Sequence, residues 1–334
     1  MTQDSPQLDC LLPLMRAKGV TISPARFHDI VNVTFHRFES RHYDTVHREM
    51  WDVLPAQFEL LTNDLLDRPL PESLDLLDIG CGTGLSSELL LATPLGKKIA
   101  QLDLIDTSAE MLAKCRERAA RWPALCRFVE GTVEQAPGAR YDLILTCSVL
   151  HHIPDLRGFL RNVRALQAPG GFFIHLQDPN GDCLADPDLL RRSDALRRTR
   201  KKSVSPLRPA LRIASRIRRA ITGARSNQPK NYLAEVNDAL LAEGVIKIAL
   251  TDEEIWSVTD IHESNLPYST GSGISIRSLR EMMPDYELVS ARSYSFFGRM
   301  MNELPGSMKK EELRLIRERA MNGSKLAAAW RCKS

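Results

Sequence analysis

Residues 74–84 read LDLLDIGCGTG: an apolar run that meets an acid and then three glycines at alternate positions. Glycines directly after an apolar strand let the backbone approach a ligand at points where a Cβ would collide. Such a turn, leading from a strand into a helix, is how α/β folds cradle nucleotides. The surrounding pattern agrees. From Leu74 to Pro179, short apolar segments alternate with amphipathic ones, the mark of a parallel sheet wrapped by helices. LDLLDI, IAQLDLID, RFVEG, YDLILTCSV and GFFIHLQD read as strands, with Ser108 as a helix N-cap and Gly170-Gly171 as the turn into the fifth strand.

Outside that stretch the spacing changes. Trp51, Leu54, Phe58, Leu61 and Leu65 recur at helical intervals, so residues 1–70 read as a helical extension. From Asp182 to about Leu250 the alternation stops, and it resumes with helical SIRSLREMM and strand-like YELVSARSYSFF and SKLAAAWRCK. The expected organisation is a helical extension or lid at 1–70, a nucleotide-binding core at 71–182, a basic helical insertion at 183–255, and the rest of the core at 256–334.

The glycine pattern, Gly80-Cys81-Gly82-Thr83-Gly84, differs from the G-x-G-x-x-G of dinucleotide sites. Asp78 stands in front of it, where an acid would repel a pyrophosphate but suit an ammonium or sulfonium. The second strand ends at Asp106, 22 residues beyond Gly84, where an acid can accept both hydroxyls of a ribose. A nucleoside at one end and an ammonium at the other describe S-adenosylmethionine (SAM).

At this point the chain resembles the class I SAM-dependent methyltransferases. LLDIGCGTG is similar to their first motif, LDLIDTSAEML to the ribose-binding strand, FVEGTVEQAP to the adenine-contacting turn, and YDLILTCSVLHHIPD and APGGFFI to strands four and five. The resemblance implies a seven-stranded, mostly parallel Rossmann-like α/β sheet closed by an antiparallel hairpin at 286–297 and 324–333. It implies SAM as cofactor, held by Asp78, Gly80, Cys81, Gly82 and Gly84 at the methionine end. Asp106 would take the ribose, Thr132 and Val133 belong to the adenine turn, and Thr107, Met111 and Ser148 are the further cofactor-binding residues the resemblance implies. An acid often follows the glycine of the adenine turn in this family; here Gly131 is followed by Thr132, which leaves adenine to backbone amides, the Thr132 hydroxyl and apolar packing.

Methyl transfer from a sulfonium needs alignment, exclusion of water and, for some acceptors, a base. His151 and His152 follow strand four, with a helix-start or packing role as the alternative to catalysis. His262, beside Asp260 and Glu263, is the other candidate base. Asp178 ends strand five, and Tyr294 on the sixth strand could face the acceptor. His28, His36, His42 and His47 are interleaved with aromatics but lack the spacing of paired helical metal ligands, so no metal is expected. Tyr43, His47 and Trp51 share one face of the expected helix and could cover the cofactor as a lid.

The net charge of +3 conceals a segregated basic region. Residues 191–230 hold fourteen Lys or Arg and one acid, a charge of +13 against −10 for the rest. Within it, Leu207, Ala210, Leu211, Ala214, Ile217 and Ile221 share one helical sector, opposite Arg208, Arg212, Arg216 and Arg219. Three readings stay open: contact with an anionic membrane, contact with an acidic partner such as a carrier protein or nucleic acid, or packing on the domain. The scarcity of aromatics disfavours nucleic acid. No apolar run approaches the ~18 residues of a membrane span, the N-terminus lacks a signal-peptide pattern, and the seven scattered cysteines form no CxxC pair. The expectation is a cytoplasmic enzyme, membrane-peripheral if the first reading holds. It would methylate a small lipophilic or anionic acceptor. A methyltransferase acting on RNA or a carrier-tethered substrate, and a non-catalytic SAM-binding protein, are the alternatives.

Overall fold

The computed structural model describes residues 6–333 apart from 139, 185, 203–231, 264–265, 299–300 and 302–303. The amphipathic helix expected at 207–221 lies outside the described residues.

The chain begins with α1 (Leu12–Lys18), α2 (Pro24–Glu39), the single turn α3 (Tyr43–Val46) and α4 (Arg48–Leu66). Ser23 starts α2 by accepting the Arg26 amide on its hydroxyl, and Pro24 supplies the fixed φ of a first helical residue. The strands then fall where the apolar spacing places them: β1 (Leu74–Ile79), β2 (Ile99–Asp106), β3 (Leu125–Glu130), β4 (Tyr141–Cys147) and β5 (Gln167–Pro179). Between them run α5 (Leu85–Leu91), α6 (Ala109–Ala119) and α7 (Leu156–Leu166). After α8 (Pro187–Lys202) come α9 (Tyr232–Ala242), α10 (Asp252–Thr259) and α11 (Ile276–Met282), then β6 (Tyr286–Tyr294), α12 (Gly306–Arg317) and β7 (Lys325–Cys332).

The seven strands form one sheet in the order β3-β2-β1-β4-β5-β7-β6, with β7 antiparallel to both neighbours. β1 pairs with β2 on one side and β4 on the other, so the strand order reverses there. A crevice at the carboxyl ends of these strands is the place where this topology binds ligands.

Of the four apolar clusters among the described residues, three frame the sheet and its surroundings. One face of the sheet packs on α4, α5 and α6, with Leu54, Phe58, Leu61 and Leu65 of α4 fully buried. The other face packs on α7 and α11. The third cluster stands apart from the sheet: Phe27, Val31 and Phe35 of α2 meet Tyr232, Leu233 and Val236 of α9 and Ile255 and Val258 of α10. Polar contacts fasten it. Lys18 reaches Glu254 at 2.6 Å and the Ala249 carbonyl at 2.8 Å, while Asn237 exchanges two hydrogen bonds with the Leu250 backbone.

The helical residues before β1 therefore do not act as one extension. α1 and α2 join the helices that follow the basic segment to make a cap, whereas α4 is a layer of the sheet. Chain order suggests the boundary at residue 70; apolar faces from distant segments decide the actual grouping. Among the described residues no helix is long and apolar enough to cross a membrane.

Candidate active site

The loop after β1 is shaped by left-handed glycines. Gly80 has φ +68, and a Cβ there would come within 2.6 Å of Val149 Cγ2. Gly82 has φ +53, and a Cβ on it would meet no atom within 4 Å. Gly80 is thus a packing requirement, while the open side of Gly82 faces a cavity. Asp106, at the end of β2, accepts the Gly82 amide on Oδ2 and the Ser108 amide on Oδ1, both at 2.8 Å, and so ties the loop to its neighbouring strand. Burial raises the Asp106 carboxyl above its ordinary range.

The cavity measures about 780 Å³, toward the upper end of the ~300–1,000 Å³ usual for small-molecule sites. Its sheet side carries Gly80, Gly82, Asp106, Thr107, Met111, Thr132, Val133, Ser148 and His152. The facing side comes from the cap and its connection to α4: His28, Asn32, Phe35, His36, Glu39, Tyr43 and His47, with Trp256 and Asp260 from beyond the basic segment. Ser148 and Gln177, at the ends of β4 and β5, also line it with φ of 61 and 70, conformations that non-glycine residues adopt sparingly.

Several residues singled out from the sequence lie elsewhere. Asp78 is fully buried and accepts the Ser86 and Ser87 hydroxyls at 2.8 and 2.6 Å, so its carboxyl turns toward the start of α5. Burial pushes that carboxyl up to about 7. Cys81 belongs to the core beside Cys115, and a Cβ on Gly84 would come within 2.8 Å of Cys115 Sγ, so both serve packing against α6. Tyr43, His47 and Trp51 do not share one face. The helix breaks at His47 (φ −101, ψ 29), leaving Trp51 in α4 with the Arg118 guanidinium 4.9 Å above its ring. Tyr294 is buried and donates to Gln177 Oε1 at 2.8 Å; the cavity wall is Gln177, which motif reading did not identify.

His262 is likewise enclosed. Its Nε2 donates to the Ile153 carbonyl at 2.9 Å, tying it to the loop after β4, and its Nδ1 lies 3.1 Å from Thr270 Oγ1, so both nitrogens are engaged. Asp178 is buried and pairs with His151 Nδ1 at 2.9 Å.

His152 is placed differently. Its Nδ1 lies 2.8 Å from the Thr259 carbonyl and 3.1 Å from Asp260 Oδ1. A carbonyl only accepts, so Nδ1 carries the proton, and Nε2 has no hydrogen-bond partner among the described residues. Burial opposes the charged imidazole, but Asp260 and the Thr259 carbonyl outweigh it and raise the His152 pKa above its ordinary value. Burial would raise Asp260, yet its bond from His152 holds it at about 2. His151, His152 and Asp260 bring one ligand atom each within 4.8 Å of one another, a spacing that would admit a metal.

Facing it, Glu39 is almost wholly buried and bridges His36 Nδ1 at 3.1 Å and His47 Nε2 at 2.8 Å. Burial alone would raise its carboxyl; the two histidine bonds hold it at about 2. The His36 ring meets that of His152 edge-on at 5.3 Å. Glu39 and His36 escaped motif reading, although His28, Asn32, His36 and Glu39 form a recognisable polar stripe on α2.

Comparison with known proteins locates the same core. Residues 77–173 match a family described as a methyltransferase domain. A ubiquinone biosynthesis O-methyltransferase of Methylobacterium nodulans is 38% identical over 110 residues, 32% of this chain and 42% of the relative. The polyketide synthase component of compactin nonaketide synthase from Penicillium citrinum is 32% identical over 110 residues, 31% of this chain and 4% of the relative. The chain thus spans less than half the length of either. Among solved structures, the plantazolicin methyltransferase with S-adenosylhomocysteine (SAH) aligns over 93% of this chain and 97% of its own at 13% identity, with a TM-score of 0.46. The segment that carries the glycine loop and Asp106 is therefore the part of this chain that matches a methyltransferase domain.

Proposed function

We propose that this chain transfers the methyl group of SAM to an ionisable O–H or N–H group of a small acceptor enclosed between sheet and cap. The observation that carries this reading is His152: its Nε2 is unengaged among the described residues, its Nδ1–H is held by Asp260 and Thr259, and it lines the same cavity as Gly82 and Asp106. The residues fit the cofactor. The open side of Gly82 admits a ligand against the backbone, and the buried Asp106 carboxylate retains lone pairs for ribose hydroxyls. Thr107, Met111, Thr132 and Val133 would flank the nucleoside, with Tyr43 and His47 opposite.

Bound there, SAM supplies an activated methyl group, so the chain's own task is to position the acceptor and remove its proton. His152 Nε2 takes that proton, and the resulting imidazolium is stabilised by the Asp260 carboxylate. The cap helices exclude water from the acceptor. Glu39, Asp106 and Asp260 around the cavity argue against an anionic acceptor. The basic segment at 191–230 is proposed, on its sequence alone, to contact an anionic membrane. Radiolabelled SAM offered with panels of phenols and amines tests the reading. Transfer that requires His152 supports it; SAM binding with no transfer to any acceptor would leave a non-catalytic binding protein.

A further inference from the structure

The polar stripe of α2 has two ends that differ in bonding. Near its C-terminus, Glu39 is satisfied by His36 and His47. Toward its N-terminus, His28 is 3% exposed and lines the cavity, yet neither ring nitrogen has a hydrogen-bond partner among the described residues. Asn32 Oδ1, one turn along and also lining the cavity, is buried and unpartnered too. The nearest recorded carboxylate to His28 is Asp29, with Oδ1 at 3.7 Å from Nδ1, beyond hydrogen-bond length. Buried polar atoms in folded proteins are nearly always paired. Three unpaired buried atoms on adjacent turns, carried by two residues that line one cavity, mark where a ligand could complete the bonding.

The neighbouring wall is apolar, built from Phe35 and Trp256, whose rings meet at 4.9 Å. His36, in ring contact with His152, is eight residues on from His28, or about 12 Å along the helix at ~1.5 Å per residue. Resting on the methyltransferase reading above, we propose that His28 and Asn32 form a second anchor for the acceptor. They hold an uncharged or cationic head group that donates hydrogen bonds, an amide or an amine, while the atom to be methylated lies at His152. Asn32 Oδ1 and the unprotonated nitrogen of His28 both accept, and Asp29 at the rim repels an anion. The acceptor is therefore elongated, with an apolar section passing Phe35 and Trp256.

The test uses the full chain saturated with SAH and three probes of one shape: 6-phenylhexanamide, 6-phenylhexylamine and 6-phenylhexanoate, titrated by ligand-observed NMR. The amide and amine are expected to bind at least tenfold more tightly than the carboxylate. His28→Phe and Asn32→Leu should each reduce that preference below threefold. His28→Gln, which keeps a donor and an acceptor, should retain it. SAH affinity, measured by calorimetry on each variant, should stay within twofold of wild type; a variant that loses it is set aside and the remaining two decide. Equal binding of the carboxylate, no binding of any probe, or unchanged preference in Asn32→Leu overturns the anchor. Wild-type protein that fails to bind SAH instead overturns the methyltransferase reading, and the anchor with it.

Discussion

His152 Nδ1 lies 3.1 Å from Asp260 Oδ1, although the basic segment separates the two residues in the chain. The pair exists because α10 packs on α2, and α2 in turn lies over the loop that follows β4. The cap therefore both roofs the cavity and completes the group proposed as its base.

That relationship gives a kinetic expectation. His152→Gln should lower kcat by about 10²–10⁴-fold, the usual contribution of a positioned base, with SAH affinity unchanged in calorimetry. Asp260 raises the His152 pKa, so Asp260→Asn should move the rising limb of the pH–rate profile to lower pH. A profile that keeps its position in Asp260→Asn would separate the two residues functionally.

Asp106→Ala should weaken SAH binding by ~1.5–3 kcal/mol, the scale of a hydrogen bond to a charged group. The substitution also releases the Gly82 and Ser108 amides, so amide exchange of Gly82 should accelerate in the unliganded protein. Calorimetry showing wild-type affinity would remove Asp106 from the cofactor site.

Glu39 provides a pH test of the cap. Its folded pKa of about 2 lies below the ~4.3 of an unperturbed glutamate. Its stabilisation is therefore fully present above pH ~4.3 and is lost as the pH falls through about 2. The shift corresponds to roughly 3 kcal/mol. Glu39→Gln should be less stable than wild type in urea at pH 7, and the gap should narrow steadily under acid conditions. A gap that is constant with pH would mean that the carboxylate charge contributes nothing.

For the basic segment, replacing Arg208, Arg212, Arg216 and Arg219 with glutamine should abolish co-sedimentation with anionic liposomes at low salt, each charge near such a surface contributing ~1 kcal/mol. Leu211→Ser with Ile217→Ser should weaken binding at high salt as well as low. Wild-type protein that ignores these liposomes would exclude the membrane contact.

The strands, the glycine loop and Asp106 were legible from contiguous residues, because apolar period and turn chemistry are local properties. β1 and β2 fall at LDLLDI and IAQLDLID, and Gly80 and Gly82 face the cavity from the turn their motif marks. What tertiary structure alone decided is which side chains meet across distance. Asp78 stands before the loop in sequence, but Ser86 and Ser87 turn its carboxyl into α5. His262 stands beside Asp260, yet its ring is held by Ile153 while Asp260 reaches His152. Tyr43 and Trp51 are two helical turns apart in sequence, but the break at His47 sends one to the cavity and the other to Arg118. A helix's apolar period says that one face will be buried, not what will bury it. The cap, and the polar groups it brings to the cavity, follow from α2 finding α9 and α10, whose apolar faces lie on the far side of the sheet segment in the chain.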